Sequence, residues 1–228
     1  MERKSRLCLF LGFIAFAAHA EQSNYVSANA SYNIFNSPSA TTAGFTSNLP
    51  VTATNNHVKT QAGFGVGLGH RFSKHIRSDI TFDYRPSIPF QLTDDGGETA
   101  KGHLNSANLM LNAYYDIDIH SSVIPYVGAG IGIAQNRTTS IFWPLAGQVE
   151  GSKTLYQFAW QIGAGASFPL SQNLSLDANY KLVSLGDFSN NGQFNTPGNQ
   201  NTGTSGPASH WKTLYANQFQ IGLRYAFG

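Results

Sequence analysis

Ile76-Arg77-Ser78-Asp79-Ile80-Thr81-Phe82-Asp83-Tyr84-Arg85 is a run in which apolar and charged side chains take turns. Ile76, Ile80, Phe82 and Tyr84 hold one parity; Arg77, Asp79, Thr81, Asp83 and Arg85 hold the other. Successive side chains of a β-strand point to opposite faces, so the run reads as a strand with one greasy side and one charged side. Which side meets water cannot be read from one strand. The rest of the chain decides it.

The same period recurs in seven more stretches. Residues 24–35 set Val26, Ala28, Ala30, Tyr32 and Ile34 against Ser27, Asn29, Ser31 and Asn33. Residues 61–72 set Ala62, Phe64, Val66 and Leu68 against four glycines and Arg71. Residues 105–117 set Ala107, Leu109, Leu111, Ala113 and Tyr115 against Asn108, Asn112 and Asp116. Residues 125–134 alternate Val127, Ala129, Ile131 and Ile133 with Gly128, Gly130 and Gly132. Residues 155–168, 174–185 and 214–227 repeat the scheme, with Gln161, Asp177, Lys181, Gln218, Gln220 and Arg224 on the polar side. Each run has the length of a tilted membrane strand, about 9–11 residues or slightly more. The polar side is rich in glycine and amides, and the whole chain is only 11% charged, against about 25% for soluble domains. A soluble barrel would need charge outside. This pattern puts lipid outside and a polar network inside.

Connections support the same reading. Those at 73–75, about 118–123, and 169–173 are short. Those at 36–59, 86–103, 135–153 and 186–212 are long and rich in Asn, Thr, Ser, Gly and Pro. Short turns on one side and long loops on the other are how outer-membrane barrels are built. The long loops are expected outside the cell, and the last, with Asn190-Asn191-Gly192, reads as a disordered polar tract. Backbone groups in lipid must all be paired, so the eighth strand is expected to close onto the first. The fold class is therefore an all-β, eight-stranded antiparallel up-and-down transmembrane β-barrel.

The N-terminus reads as an export signal. Arg3, Lys4 and Arg6 precede an apolar run from Leu7 to Ala18, and Ala18-His19-Ala20 is a cleavage pattern. Residues 1–20 are expected to be removed and 21–228 to form the barrel domain. The run is shorter than the ~20 residues of a spanning helix. The single cysteine, Cys8, lies in the signal, so the mature chain has no disulfide, thiolate metal site or thiol nucleophile. Taking three basic residues and one acidic one from 14 and 12 leaves 11 of each. That balance argues against a nucleic-acid partner.

Candidate functional residues fall into three groups. Arg71, Arg77, Asp79, Asp83, Arg85, Asp116, Asp177, Lys181 and Arg224 share the lumen parity, where isolated charges are costly, so they are expected to pair across the lumen. An eight-stranded barrel is only wide enough for side chains to fill, which predicts a plugged polar core. The alternative is a narrow ion path gated by rearranging those pairs. Ile141, Phe142, Trp143 and Leu145 form an apolar cluster in an outward loop, read as a lid, a headgroup anchor or a contact surface for a host or neighbouring protein. The glycines at 128, 130 and 132 lie in a strand with no following helix, unlike phosphate-binding glycines. They are expected to leave room for long side chains of adjacent strands.

Catalytic and metal readings find little. His120-Ser121-Ser122 has an H-x-S spacing but falls in a predicted periplasmic turn, with no carboxylate expected to orient the imidazole. His103 and Ser106 should lie on opposite faces of a strand, and His210 lies in a loop beside Trp211. Asp94-Asp95-Gly96-Gly97 reads as a turn, not a ligand set. No cofactor is expected. A lipid A-modifying enzyme is the third alternative.

Pro125-Tyr126-Val127-Gly128-Ala129-Gly130-Ile131-Gly132 resembles a strand of the small OmpA-like and opacity-type outer-membrane barrels. Pro169-Leu170-Ser171-Gln172-Asn173-Leu174-Ser175-Leu176 resembles the turn and strand that follow in that family. Ile221-Gly222-Leu223-Arg224-Tyr225-Ala226-Phe227 resembles its C-terminal insertion signal, carried by Tyr225 and Phe227, although Gly228 follows the aromatic here. The resemblance implies a Gram-negative outer-membrane location within the porin family. It also implies dependence on periplasmic chaperones and the barrel-insertion machinery, and contact with outer-membrane lipid and lipopolysaccharide. The family spans pores, adhesins and surface antigens. Among these, the expected role is a non-catalytic surface protein acting through its long loops. No cell-wall-binding domain is expected after Phe227.

Overall fold

The computed structural model describes residues 23–44, 49–196 and 199–228. The signal-peptide reading of residues 1–20 lies outside them. Eight long antiparallel strands make the wall of a barrel: β1 (Ser23–Phe35), β2 (Gln61–Arg71), β3 (Ile76–Thr93), β4 (Thr99–Asp116), β5 (Ile124–Thr138), β6 (Thr154–Pro169), β7 (Leu174–Ser184) and β8 (Tyr215–Phe227). Each pairs with the next, and β8 returns to pair with β1, Asn24 opposite Phe227 and Phe35 opposite Ala216. Closure leaves the membrane-spanning wall no free edge, as lipid requires.

The alternation sorts faces as expected. Leu68, Ile131 and Phe158 are 67%, 59% and 65% exposed, whereas Asp79, Asn112, Gln161 and Arg224 are buried. An apolar wall wrapped around a polar interior is stable only with lipid outside. Phe72, Tyr115, Phe168, Tyr225 and Phe227 ring the end that carries both termini of the barrel. Tyr32, Tyr156, Tyr180 and Tyr215 ring the other end, giving two aromatic belts at the membrane interfaces.

Above the outer belt the fold departs from the sequence reading. The segments read as loops 86–103 and 135–153 are partly wall: β3 runs on to Thr93, β4 begins at Thr99, and β5 runs on to Thr138. In β3 the alternation breaks after Arg85, where the register with β4 shifts and Ser87 takes a left-handed conformation (φ 51°). This bulge adds one residue to β3. Interior parity therefore changes from Arg77, Asp79, Thr81, Asp83 and Arg85 to Ile88, Phe90 and Leu92. The strand does not end at Pro86; it changes parity and enters an apolar layer.

All four long connections join that layer. Strands Ala40–Ala43 and Pro50–Thr52 from the first pair with His210–Trp211 of the fourth, which in turn pairs with Phe188–Ser189. Strands Ile141–Trp143 and Gln148–Glu150 of the third connect β4 to Gln193–Thr196 of the fourth. The fourth connection, read as a disordered polar tract, is folded over its described part. Its ordering comes from side chains a polarity average conceals: Phe188, Phe194 and Trp211 are buried with Phe90, Leu92, Ile141, Trp143 and Leu185. The molecule is a barrel with a folded outer head.

Candidate functional site

At the periplasmic end the lumen is crossed by a cluster around Asp116. Arg77 Nε donates to Asp116 Oδ1 at 3.0 Å, and Arg71 approaches Asp116 Oδ2 at 3.3 Å. The Arg77 guanidinium also lies 4.2 Å from the ring centroid of Tyr114 and 4.5 Å from that of Tyr126. Cation–π contacts of this kind gain strength when desolvated, as here. Beside them, Arg224 grips Asp177 through two bonds of 3.0 and 3.2 Å and donates to Ser167 Oγ at 2.9 Å. The Ser167 hydroxyl also donates to Asp177.

The middle layer centres on Asp79. It accepts from Asn112 Nδ2 at 2.8 Å, Tyr25 OH at 3.1 Å and Tyr114 OH at 3.3 Å. Higher up, Arg85 is wholly buried and makes no ion pair within 4.0 Å among the described residues. Its three nitrogens donate to the amide oxygens of Asn33, Gln218 and Asn108, at 2.8, 2.8 and 2.5 Å. Asp83 receives one long bond from Asn108, at 3.5 Å. Lys181 makes no direct ion pair among the described residues and lines two interior cavities of about 40 and 10 Å³. A water needs roughly 10–15 Å³ by this measure, so the larger cavity suits two or three waters and not a column of them. All nine charged residues expected in the lumen are there: Arg71, Arg77 and Asp116 in one cluster, Asp177 and Arg224 in a second, Asp79 at the centre of a third, Arg85 and Asp83 both bonded to Asn108, and Lys181 beside the cavities.

The lumen glycines make this packing possible. A Cβ at Gly130 would overlap Asn112 Oδ1, one at Gly65 would overlap Asp83 Oδ1, and one at Gly69 the Tyr25 ring. At Gly128 and Gly165 it would meet Tyr114 and Tyr126. These inward side chains each lie over a glycine of a neighbouring strand, which is the packing role expected of the glycines.

In the outer head, the four-residue apolar cluster splits. Ile141 and Trp143 are 0% and 4% exposed and belong to the head core, while Phe142 and Leu145 are 47% and 70% exposed. Residues 141–143 are a strand, so alternate side chains cannot share a surface. The continuous patch expected from sequence does not exist. The turn bearing Leu145 is held from another connection: the backbone N–H groups of Leu145 and Ala146 donate to Glu98 Oε1, at 2.5 and 3.3 Å. Glu98 in turn stands on the turn after β3, where its N–H donates to Asp94 Oδ1 at 2.8 Å.

Glu150 locks the remaining connections. It is buried, and accepts from Ser209 N at 2.8 Å, Ser209 Oγ at 2.6 Å and Gly192 N at 3.3 Å. Ser209 Oγ also lies 2.9 Å from Thr42 Oγ1. Burial pushes the Glu150 carboxyl above its ordinary range, partly offset by the bonds from Ser209 and Gly192.

Residues 7–227 match the family model described as the outer membrane protein beta-barrel domain. The chain belongs to that family. It is 26% identical over 181 residues to the outer membrane protein PagN of Salmonella typhimurium, covering 72% of each chain. It is 29% identical over 202 residues to a Brucella suis protein, covering 75% of this chain and 70% of the other. Among solved structures, OprG of Pseudomonas aeruginosa is similar with a TM-score of 0.54 at 12% identity, covering 90% of this chain and 96% of that one. A major outer membrane protein of Thermus thermophilus is similar with a TM-score of 0.56 at 14% identity, covering 92% and 100%. These structures share the fold. The chain is a bacterial outer-membrane β-barrel.

Within this outer-membrane barrel the periodicity reading missed three residues: Tyr25, Tyr114 and Tyr126. Aromatic side chains look like lipid-facing ones, yet each has the polar parity of its strand. Parity was the signal that could have found them. The catalytic readings stay apart in space. His103 is exposed while Ser106 is buried on the other side of β4. His120 stands in an exposed turn with Asp118 near it: Asp118 Oδ1 is 3.9 Å from His120 Nδ1 and accepts the His120 backbone N–H at 3.0 Å. The separation is too long for a hydrogen bond to the ring. Among the described residues no group of three or more metal-ligating side chains converges. Tyr225 and Phe227 face lipid at the periplasmic rim, where β8 meets β1.

Proposed function

We propose that this outer-membrane protein is a non-catalytic surface interaction protein whose binding element is the folded outer head and whose barrel is a plugged anchor. The observation that carries the reading is the head itself. Four connections are tied together by an aromatic core and by Glu98 and Glu150, which holds Phe142 and Leu145 outward on a rigid base. Disordered connections would pay ordering entropy on binding; a preformed surface does not. The partner is a host or neighbouring surface protein, reached by apolar contact. PagN, a relative, is likewise named as an outer membrane protein.

The test is whole-cell adherence and co-purification with the double variant Phe142→Ser, Leu145→Ser. Trp143 is unsuitable, because its loss would hollow the core. Correct insertion is checked by heat-dependent gel mobility. The expected result is normal insertion with adherence lowered to the level of a deletion strain. Undiminished adherence overturns the reading. Planar-bilayer recording of the same protein is expected to be silent; a steady conductance altered by Asp83→Ala would establish the narrow-channel alternative instead.

A further inference from the structure

The fold separates charges that are nearly balanced along the sequence, 14 basic against 12 acidic. Of the carboxylates in the outer head, Asp94, Glu98 and Glu150 are buried, Asp187 is half-buried against His210 at 3.4 Å, and Asp95 is exposed at the tip of the β3–β4 turn. The cations are distributed the other way. Lys59, Lys101, Arg137, Lys153 and Lys212 are all exposed, and none has a side-chain ion pair among the described residues.

Four of these five lie together on the outer wall. Arg137 on β5 stands in register with Asn105 on β4 and Thr154 on β6. One ladder step below, Gln135 donates to Tyr156 OH at 2.6 Å, in the outer aromatic belt. The Lys153 backbone meets Thr138, the residue after Arg137. The Lys59 N–H donates to Pro89 O, and Pro89 is in register with the exposed His103. Lys101 is one ladder step outward of His103, two residues nearer the start of β4. Strands rise about 3.3 Å per residue and tilt by roughly 35–45°. The cations therefore occupy a band that begins just above the tyrosine belt and extends on the order of 10–15 Å outward, across neighbouring strands on one side of the barrel.

We infer that Lys59, Lys101, Arg137 and Lys153 form a lateral binding surface for the phosphates of the outer leaflet's lipopolysaccharide. Three features fix the occupant. The cations are on the wall and not at the head's tip. Their lowest member starts where the apolar wall stops, which is the height of lipid phosphate. And among the described residues no exposed carboxylate stands on that part of the wall, Asp95 lying beyond it at the tip of the β3–β4 turn, so the charge is available to an anion. Lys101 stands in register with Phe142, so the band adjoins the head's exposed apolar residues at that one point, while Lys59, Arg137 and Lys153 lie on other segments; it anchors the head's orientation whatever the head binds.

The test uses the full refolded mature protein and fluorescent rough lipopolysaccharide titrated in mixed micelles. The variant replaces all four cations by Gln; Lys74→Gln, in a periplasmic turn, is the control. Wild type and control are expected to bind alike, with affinity falling as salt rises. The fourfold variant is expected to bind at least about tenfold more weakly, and dephosphorylated lipopolysaccharide to bind wild type no better than the variant binds the intact lipid. Unchanged binding by a variant that folds, shown by heat-dependent mobility, overturns the inference. Equal binding of the dephosphorylated lipid overturns it too, as does preferential capture of a soluble sulfated polysaccharide over lipopolysaccharide. Should the fourfold variant not fold, the single variant Arg137→Gln and the dephosphorylated lipid decide the matter.

Discussion

Phe188 lies flat against Trp211, ring centroids 4.7 Å apart and planes 8° apart, with Phe90 edge-on to the indole at 4.8 Å. Phe188 and Trp211 open and close the last long connection, and Phe90 comes from β3 beyond its bulge. Three rings thus join parts of the chain that share no local pattern.

Trp211→Ala should therefore unravel the head and spare the barrel. A fully buried aromatic truncated to Ala costs about 3–5 kcal/mol where the site cannot collapse. The membrane wall does not depend on this ring. Limited proteolysis should nick the outer connections of the variant at protease levels the native protein resists. Heat-dependent gel mobility should still report a folded barrel.

The head should also be firmest in mild acid. Burial raises the Glu150 carboxyl above its unfolded value, so the protonated form is the one the folded head prefers. A raised acid contributes stability that is complete below the unfolded value, about 4.3 for Glu, and lost as pH climbs through the higher folded value. Protease resistance of the head should fall between weak acid and neutrality. Glu150→Gln keeps the uncharged shape and should flatten that dependence; an unchanged profile in the variant would assign it to other groups.

Asp116 and Arg71 should differ sharply in what their loss costs. Asp116→Ala leaves the buried Arg77 guanidinium without its carboxylate, a loss of roughly 3–5 kcal/mol. Arg71 is a quarter exposed at the periplasmic mouth, so Arg71→Ala should cost about 1 kcal/mol or less. Urea titration of the refolded protein in detergent measures both. Equal midpoints would mean that Arg77 is held by its tyrosines rather than by the ion pair.

The order of these sites follows from how each was legible. The wall was readable because lipid and lumen impose opposite demands on alternate residues, and that constraint repeats in each strand. Arg77, Asp79, Asp116 and Arg224 were found by parity alone. Their partition into separate clusters was not, because pairing depends on which strands are neighbours and at what height. The glycines at 65, 69 and 130 carried half of a message: space is needed here. The other half, Asp83, Tyr25 and Asn112, sits on adjacent strands.

Beyond the tyrosine belt the period itself fails, since water replaces lipid and nothing outside demands an apolar face. There Ser87 shifts β3 by one residue and exchanges a polar interior for an apolar one. Residues 141–145 looked like one greasy patch until strand geometry divided them.

Composition and alternation by themselves determined an eight-stranded barrel with an inverted polarity, because a two-residue period acting against a bilayer leaves one solution. Only the tertiary structure decided that the connections fold into a head, that Glu150 and Phe188 meet partners from distant segments, and that a chain with nearly equal numbers of acidic and basic residues shows cations on its outer wall. Those outcomes depend on contacts between residues tens of positions or more apart, and on which charges are buried, neither of which leaves a periodic trace along the chain.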